Sequence, residues 1–292
     1  MILKLRDDFR SCFEKEDIFD AILNLDGEVY RRHKNRRTIR ITKNGKRFFA
    51  KIHQGVSWRE IFKNIFQLRL PVLSSLNEVR AIKRLEELGI STMKLAGFGM
   101  RGLPPAWLDS FVITEELENT ISLEDFCRDW KTAPPGFALK SALIRKVAEI
   151  AATMHRNGVN HRDFYLCHFF LNRASLEKPR QRAGSKPSNS HPPGGEAGSG
   201  DLIIYLIDLH RVQLRKKTPQ RWIIKDLSGL FFSSMDVGLT KRDIFRFMIV
   251  YTGKPLHTIL KEDRLFWIKI YRKAAGLYLK HFKCNPPFTE HL

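Results

Sequence analysis

Apolar and polar positions follow two different periods along this chain. Residues 3–24 carry Leu3, Leu5, Phe9, Phe13, Ile18 and Ile22 at helical spacing, which predicts short amphipathic helices in an N-terminal extension over residues 1–26. Strand patterns follow at Glu28-Val29-Tyr30, Thr38-Ile39-Arg40-Ile41 and Arg47-Phe48-Phe49-Ala50-Lys51-Ile52, the last two joined through a tight Asn44-Gly45 turn. Over residues 58–70 the helical period returns. Trp58, Ile61, Phe62, Ile65 and Phe66 oppose Arg59, Lys63 and Arg69, so the apolar face of a basic helix either packs on the core or lies on an anionic membrane.

A helix is expected at Asn77 to Leu85, buried through Val79, Ile82 and Leu85, and a strand at Phe111 to Thr114 after the Pro104-Pro105 turn. From there helices dominate. Ser122 three residues before Asp125 is a capping-box start, Leu139 to Asn157 is a long helix closed by Gly158, and Arg264 to Phe282 is the last long one. Thr240 and Asp243 cap a helix at Ile244 to Thr252. Two features break the run: a near-continuous apolar strand, Leu202 to Ile207, and a Gly/Ser/Pro-rich stretch at about 174–200 with no apolar period, expected to be a flexible surface insertion.

With 292 residues and 43% hydrophobic composition, the chain can bury a core large enough for two lobes. No apolar run reaches the roughly 18 residues of a membrane span, and acids at positions 7 and 8 disfavour a signal peptide. Cys12, Cys127, Cys167 and Cys284 show no metal or disulfide spacing, which suits a reducing cytosol. The formal net charge of +20 calls for an anionic partner: nucleic acid, anionic lipid or an acidic protein. Basic residues spread over the chain, without zinc-finger or ribonucleoprotein motifs, argue against nucleic acid.

Chemistry concentrates in His161-Arg162-Asp163-Phe164-Tyr165-Leu166-Cys167-His168. A His-Arg-Asp triplet, with a polar residue five positions after the Asp and then an apolar run, looks like the catalytic loop of kinases. There the Asp orients the attacking hydroxyl and accepts its proton, the role expected of Asp163. One triplet is weak evidence, since such an Asp often caps a turn. The order of the other residues adds to it.

Lys51 ends an apolar strand as a phosphate-holding lysine does, and Glu78 in the first turn of the next helix is either its partner or an ordinary helix-start charge. Backbone groups around Glu115 to Leu117 fall where a kinase binds the adenine edge. Asp208, just after the 202–207 strand, occupies the position of the magnesium-bridging Asp of Asp-Phe-Gly, without the Phe-Gly, or else caps a turn. His168 replaces an Asn that helps hold magnesium. Imidazole matches that ion poorly, so a phosphate contact, fewer metal ligands or a structural His stay open. Asp226 is either an N-cap or an acceptor for catalytic-loop amides. Between the first two strands, where a kinase carries a glycine-rich loop, this chain has Arg31-Arg32-His33-Lys34-Asn35-Arg36-Arg37. Its side chains either cover the phosphates or form a solvated hairpin tip.

Several longer phrases carry a more specific likeness. Phe49-Ala50-Lys51-Ile52-His53, Glu60-Ile61-Phe62-Lys63-Asn64, Leu68-Arg69-Leu70-Pro71-Val72-Leu73, Ile113-Thr114-Glu115-Glu116-Leu117, His161-Arg162-Asp163-Phe164-Tyr165, Cys167-His168-Phe169 and Ile207-Asp208-Leu209-His210-Arg211 resemble the lipopolysaccharide core heptose(I) kinases of Gram-negative bacteria. The resemblance runs from about Gly27 to about Gly253. It implies an α+β, bilobal protein-kinase-like fold, with a small antiparallel-sheet N-lobe over 27–118 and a helical C-lobe over 119–292. ATP with Mg2+ would be the phosphate donor and the first heptose of the lipopolysaccharide inner core the acceptor, at the cytoplasmic side of the inner membrane. An acidic carrier protein could use the same basic surface. A Kdo kinase, a protein kinase, or a non-catalytic kinase-like scaffold binding anionic lipid or an acidic protein are the alternatives.

Overall fold

Every second residue from Phe48 to Ile52 is buried, and that alternation organises the first of two units. The computed structural model describes residues 1–13, 17–33, 36–55, 75–103, 107–177 and 202–287. The helix expected at 58–70, the Pro104-Pro105 turn and nearly all of the 174–200 insertion lie outside those residues. One unit comprises Met1–Leu117 with Ile207–Leu214, the other Glu118–Leu206 with Arg215–Leu292.

In the first unit, β1 (Ile2–Leu5), β2 (Glu28–His33), β3 (Arg36–Lys43), β4 (Lys46–His53), β5 (Leu95–Leu103) and β6 (Trp107–Glu115) form one sheet in the order β1-β5-β6-β4-β3-β2. All neighbours are antiparallel. Positive φ at Asn44 and Gly45 makes the expected β3–β4 turn. On one face Ile39, Ile41, Phe48, Ala50, Ile52, Phe111 and Ile113 are buried against Phe9 of α1 (Asp7–Arg10) and Phe19, Ile22 and Leu23 of α2 (Ile18–Leu23).

Residues 1–26 therefore supply a third of the buried residues of this core, and they are not a purely helical extension. Ile2–Leu5 is an edge strand paired with β5. Its short stretch of alternating burial fits the sheet, while the helical period holds only from Phe9 onward. The opposite face meets α3 (Leu76–Glu87), where Val79 packs with Phe98 and Val112. From the same helix, Asn77 donates through Nδ2 to the carbonyls of His210 and Val212, both at 2.9 Å, which ties the 207–214 segment to this unit.

The second unit is mainly helical. A small sheet of β7 (Thr120–Ser122), β9 (Phe169–Asn172) and β10 (Ile204–Leu206) runs in the order β10-β9-β7, and β8 (Val159–Asn160) precedes the catalytic-loop motif. The helices are α4 (Leu123–Phe126), α5 (Phe137–Arg156), α6 (Ala174–Glu177), α7 (Gln220–Ser234), α8 (Lys241–Thr252), α9 (Leu256–Glu262) and α10 (Arg264–Phe282). Thr240 and Asp243 form a full capping box on α8. Within this unit lies an apolar cavity of about 110 Å³, lined among others by Val147, Leu227, Leu230, Phe247, Trp267 and Ile270. No helix among the described residues is long and apolar enough to cross a membrane.

Candidate active site

Lys51 sits on the α3-facing side of β4, where a strand position would ordinarily carry an apolar residue. Its Nζ lies 2.6 Å from Oε1 of Glu78 and 4.0 Å from Oδ1 of Asp208. Glu78 is 2% exposed, on the first turn of α3. A carboxylate that deep needs a cation, and Lys51 supplies it. Burial works against the ammonium, but the charge and hydrogen bond of Glu78, then the charge of Asp208, outweigh it. The Lys51 pKa stands above its ordinary value, with Arg31 opposing.

Asp208 has φ 59° and ψ 52°, a left-handed conformation that a non-glycine residue rarely adopts. Its Oδ1 is 2.7 Å from Nδ1 of His210. Nearby His53 has its pKa pushed down to about 3, first by burial and then by the charges of Arg36, Lys51 and His210. The imidazole is therefore neutral near pH 7. Lys51, Glu78 and Asp208 are thus brought together in the first unit, as the order of motifs predicted. Among the described residues no group of three or more His, Cys, Asp or Glu side chains is placed to hold a metal ion. Mg2+ needs only one or two carboxylates when phosphates and waters complete its shell, and the oxygen donors of Asp208 fit that requirement.

Glu115 ends β6. Its amide donates to the Lys94 carbonyl at 2.9 Å, and its carboxylate pairs with Arg6 at 2.5 Å. Leu117 ends the first of the two segments of that unit.

In the second unit the catalytic-loop motif is held from behind by one buried carboxylate. Asp226 accepts from the amides of His161 at 2.6 Å and Arg162 at 2.8 Å. The N-cap alternative fails, because α7 begins at Gln220 and Asp226 lies in its interior, 1% exposed. Arg162 takes φ 75°, the turn that aims both amides at one acceptor. Gly229, one turn further along α7, permits this approach: a Cβ there would sit 3.1 Å from the Phe164 carbonyl. Leu166 donates its amide to Ser233 Oγ at 3.0 Å.

His168 faces the loop too. Its Nδ1 is 2.6 Å from the Asp163 carbonyl oxygen and its ring stacks on His161 at 5.9 Å. That contact ties the His168 ring to the backbone of Asp163. Two further residues, not legible as functional in the sequence, support the loop through Asp226. His155 on α5 places Nε2 3.4 Å from Asp226, and its Nδ1 is 3.0 Å from the Tyr251 hydroxyl on α8. Burial pushes the Tyr251 hydroxyl above its ordinary pKa, so it stays a donor. A hydroxyl donating to Nδ1 leaves the imidazole proton on Nε2, aimed at Asp226. A histidine directly after the apolar run Ile150, Ala151 and Met154 on the inner side of α5 was the available signal.

The model of the lipopolysaccharide kinase (Kdo/WaaP) family matches residues 20–186 and 190–251. The chain belongs to that family. A Pseudomonas aeruginosa protein named lipopolysaccharide core heptose(I) kinase WaaP is 42% identical over 280 residues, 95% of this chain and 96% of that one. The Escherichia coli K12 protein of the same name is 45% identical over 265 residues, covering 90% and 92%. Among solved structures, WaaP in complex with acyl carrier protein matches with a TM-score of 0.75 and 39% identity, over 95% of this chain and 100% of that one. The fold is protein-kinase-like, as the resemblance implied, and the chain is a kinase of the lipopolysaccharide core.

Proposed function

We propose that this chain transfers the γ-phosphate of ATP to a hydroxyl of the first heptose of the lipopolysaccharide inner core. The Lys51–Glu78 pair at 2.6 Å, with Asp208 beside it, is the observation that carries the nucleotide half. Lys51 holds phosphate oxygens, and Glu78 keeps its ammonium charged and aimed. The backbone at Glu115 and Leu117 meets the adenine edge. Asp208 would hold Mg2+, which would supply neutralisation of the phosphate charge.

Asp163 orients the heptose hydroxyl and accepts its proton as the oxygen bonds to the γ-phosphorus and the bond to ADP breaks. His168 and Asp226 position Asp163 and do not touch the substrate. In this reading the 27–118 lobe binds nucleotide and the 119–292 lobe carries the catalytic loop and the acceptor.

The acceptor is a phosphate-rich glycolipid, and the basic surface suits it. Arg162, Arg215, Arg221 and Lys225 all lie within 5.7 Å of the Trp222 ring centre, a concentration of cations in the unit that carries Asp163. The charge of +20 supports peripheral association with the anionic cytoplasmic face of the inner membrane. It also supports docking of an acidic carrier protein, the class of partner seen with the similar WaaP. The apolar cavity of the second unit is a fitting receptacle for an acyl chain brought by such a carrier.

The decisive experiment is phosphate transfer from labelled ATP to heptose-containing core acceptor by Asp163→Asn, with core oligosaccharide masses compared in cells with and without the protein. Loss of transfer with an unchanged unfolding midpoint is expected. Retained turnover in that variant refutes the role of Asp163, and an unchanged phosphate count on the inner heptose refutes the acceptor.

A further inference from the structure

The missing glycine-rich loop leaves the basic stretch after Tyr30 without a role, and the pairing of β2 with β3 is irregular there. Val29 opposes Ile39 and Arg31 opposes Thr38, so Tyr30 is an inserted residue, a β-bulge. Register fixes the face that Arg31 occupies. Arg31 opposes Thr38 and Thr38 opposes Lys51, and directly opposed residues share a face of the sheet. Arg31 thus stands on the Lys51 side, two strand spacings or roughly 10 Å away. The Arg31 charge is close enough to act against the Lys51 ammonium.

Tyr30 reaches the same side. Its ring meets Phe49 edge to face at 5.5 Å, and Phe49 precedes Lys51 by two residues on one face of β4. Apart from that contact the ring is open, at 73% exposure. Phe48 and Ala50 point the other way, into the core shared with α1 and α2.

The order along β4 is also informative. Phe48 pairs with Glu115 and Lys51 with Val112, so Phe49 lies toward the Glu115–Leu117 end and Lys51 about 7 Å further from it. A nucleotide whose base lies at that end meets two aromatic rings first and two cations next.

We propose that Tyr30 and Arg31, brought to one face by the bulge, replace the glycine-rich loop: Tyr30, seated on Phe49, stacks on the adenine, and Arg31 binds triphosphate oxygens across from Lys51. A glycine-rich loop offers backbone amides to the phosphates; here a guanidinium takes over that task and the aromatic ring adds a contact to the base. This rests on the reading of the first unit as the ATP site.

The test is calorimetric titration of the full chain with Mg-ATP and, separately, with inorganic tripolyphosphate, which has the charge but no base. Tyr30→Ala should weaken ATP by about tenfold or more while leaving tripolyphosphate within about twofold, and Tyr30→Phe should bind both as the unaltered protein does. Arg31→Ala should weaken both ligands by about tenfold. Unchanged unfolding midpoints verify the fold of each variant. The proposal is overturned if Tyr30→Ala leaves ATP binding intact or weakens both ligands alike, or if Arg31→Ala leaves tripolyphosphate unaffected. An unaltered protein that binds neither ligand overturns the ATP-site reading itself, before any variant is measured.

Discussion

Replacing Asp226 with Asn changes one buried oxygen to an amide nitrogen and adds almost no volume. The carboxylate now accepts from two loop amides at 2.6 and 2.8 Å, with the His155 imidazole at 3.4 Å. Hydrogen bonds to a charged acceptor each contribute about 1.5–3 kcal/mol. Asn retains one accepting oxygen, but its NH2 group faces the remaining amide donor, so one bond is lost and a buried N–H is left without an acceptor. The native loop is then disfavoured by about 2–4 kcal/mol. A shift of about 1 Å at Asp163 slows transfer on the order of 100-fold. Lys51, Glu78 and Asp208 belong to the other unit, so the KM for ATP should stay within about twofold. Steady-state kcat and KM with labelled ATP, alongside thermal unfolding, read both quantities. A kcat within about threefold of the unaltered enzyme, or a loss of ATP affinity as large as the loss in kcat, refutes the positioning role.

Glu78→Gln removes the partner that holds the Lys51 pKa up, and with the Lys51 side chain 25% exposed, nucleotide binding should weaken by about 1–3 kcal/mol, read by titration with Mg-ATP. Gly158→Ala forces a Cβ to within 1.7 Å of the Arg215 carbonyl oxygen at a φ of +77°, and should cost about 3 kcal/mol or more in urea unfolding. Gly276→Ala, where nothing lies within 4 Å in a helix, should instead stabilise by about 0.5–1 kcal/mol. His53 has a folded pKa of about 3 against an ordinary 6.5, so between those values the unfolded chain binds the extra proton and stability rises with pH. Its contribution is whole above pH 6.5 and drains away as the pH falls toward 3; His53→Gln should flatten that acid slope in denaturant midpoints.

The strands around Lys51 were legible because Phe48, Ala50 and Ile52 alternate with polar or half-buried neighbours, and the helix at Glu78 because Val79, Ile82 and Leu85 keep its period. Ile2–Leu5 was not, since over four residues alternation and helical spacing select nearly the same apolar positions. Lys51 and Glu78 could be paired in advance by their order, whereas the service of Asp226 to a loop 64 residues earlier depends on how α7 packs. Nor does local sequence register the β2 bulge: Tyr30 and Arg31 read as opposite faces of a regular strand until the pairing with β3 is known.

The tether from Asn77 to His210 and Val212 has a consequence for how the chain comes off the ribosome. Lys51 and Glu78 emerge early, yet the aspartate beside them arrives only after the strand of Ile204–Leu206 has been made, when much of the second unit already exists. Severing the polypeptide after Leu117 cannot yield a finished small lobe, because Asn77 would lose both carbonyl acceptors and Lys51 its second carboxylate. The two lobes are interleaved in synthesis as well as in sequence, and a complementation experiment with separate halves would have to carry residues 207–214 on the first piece.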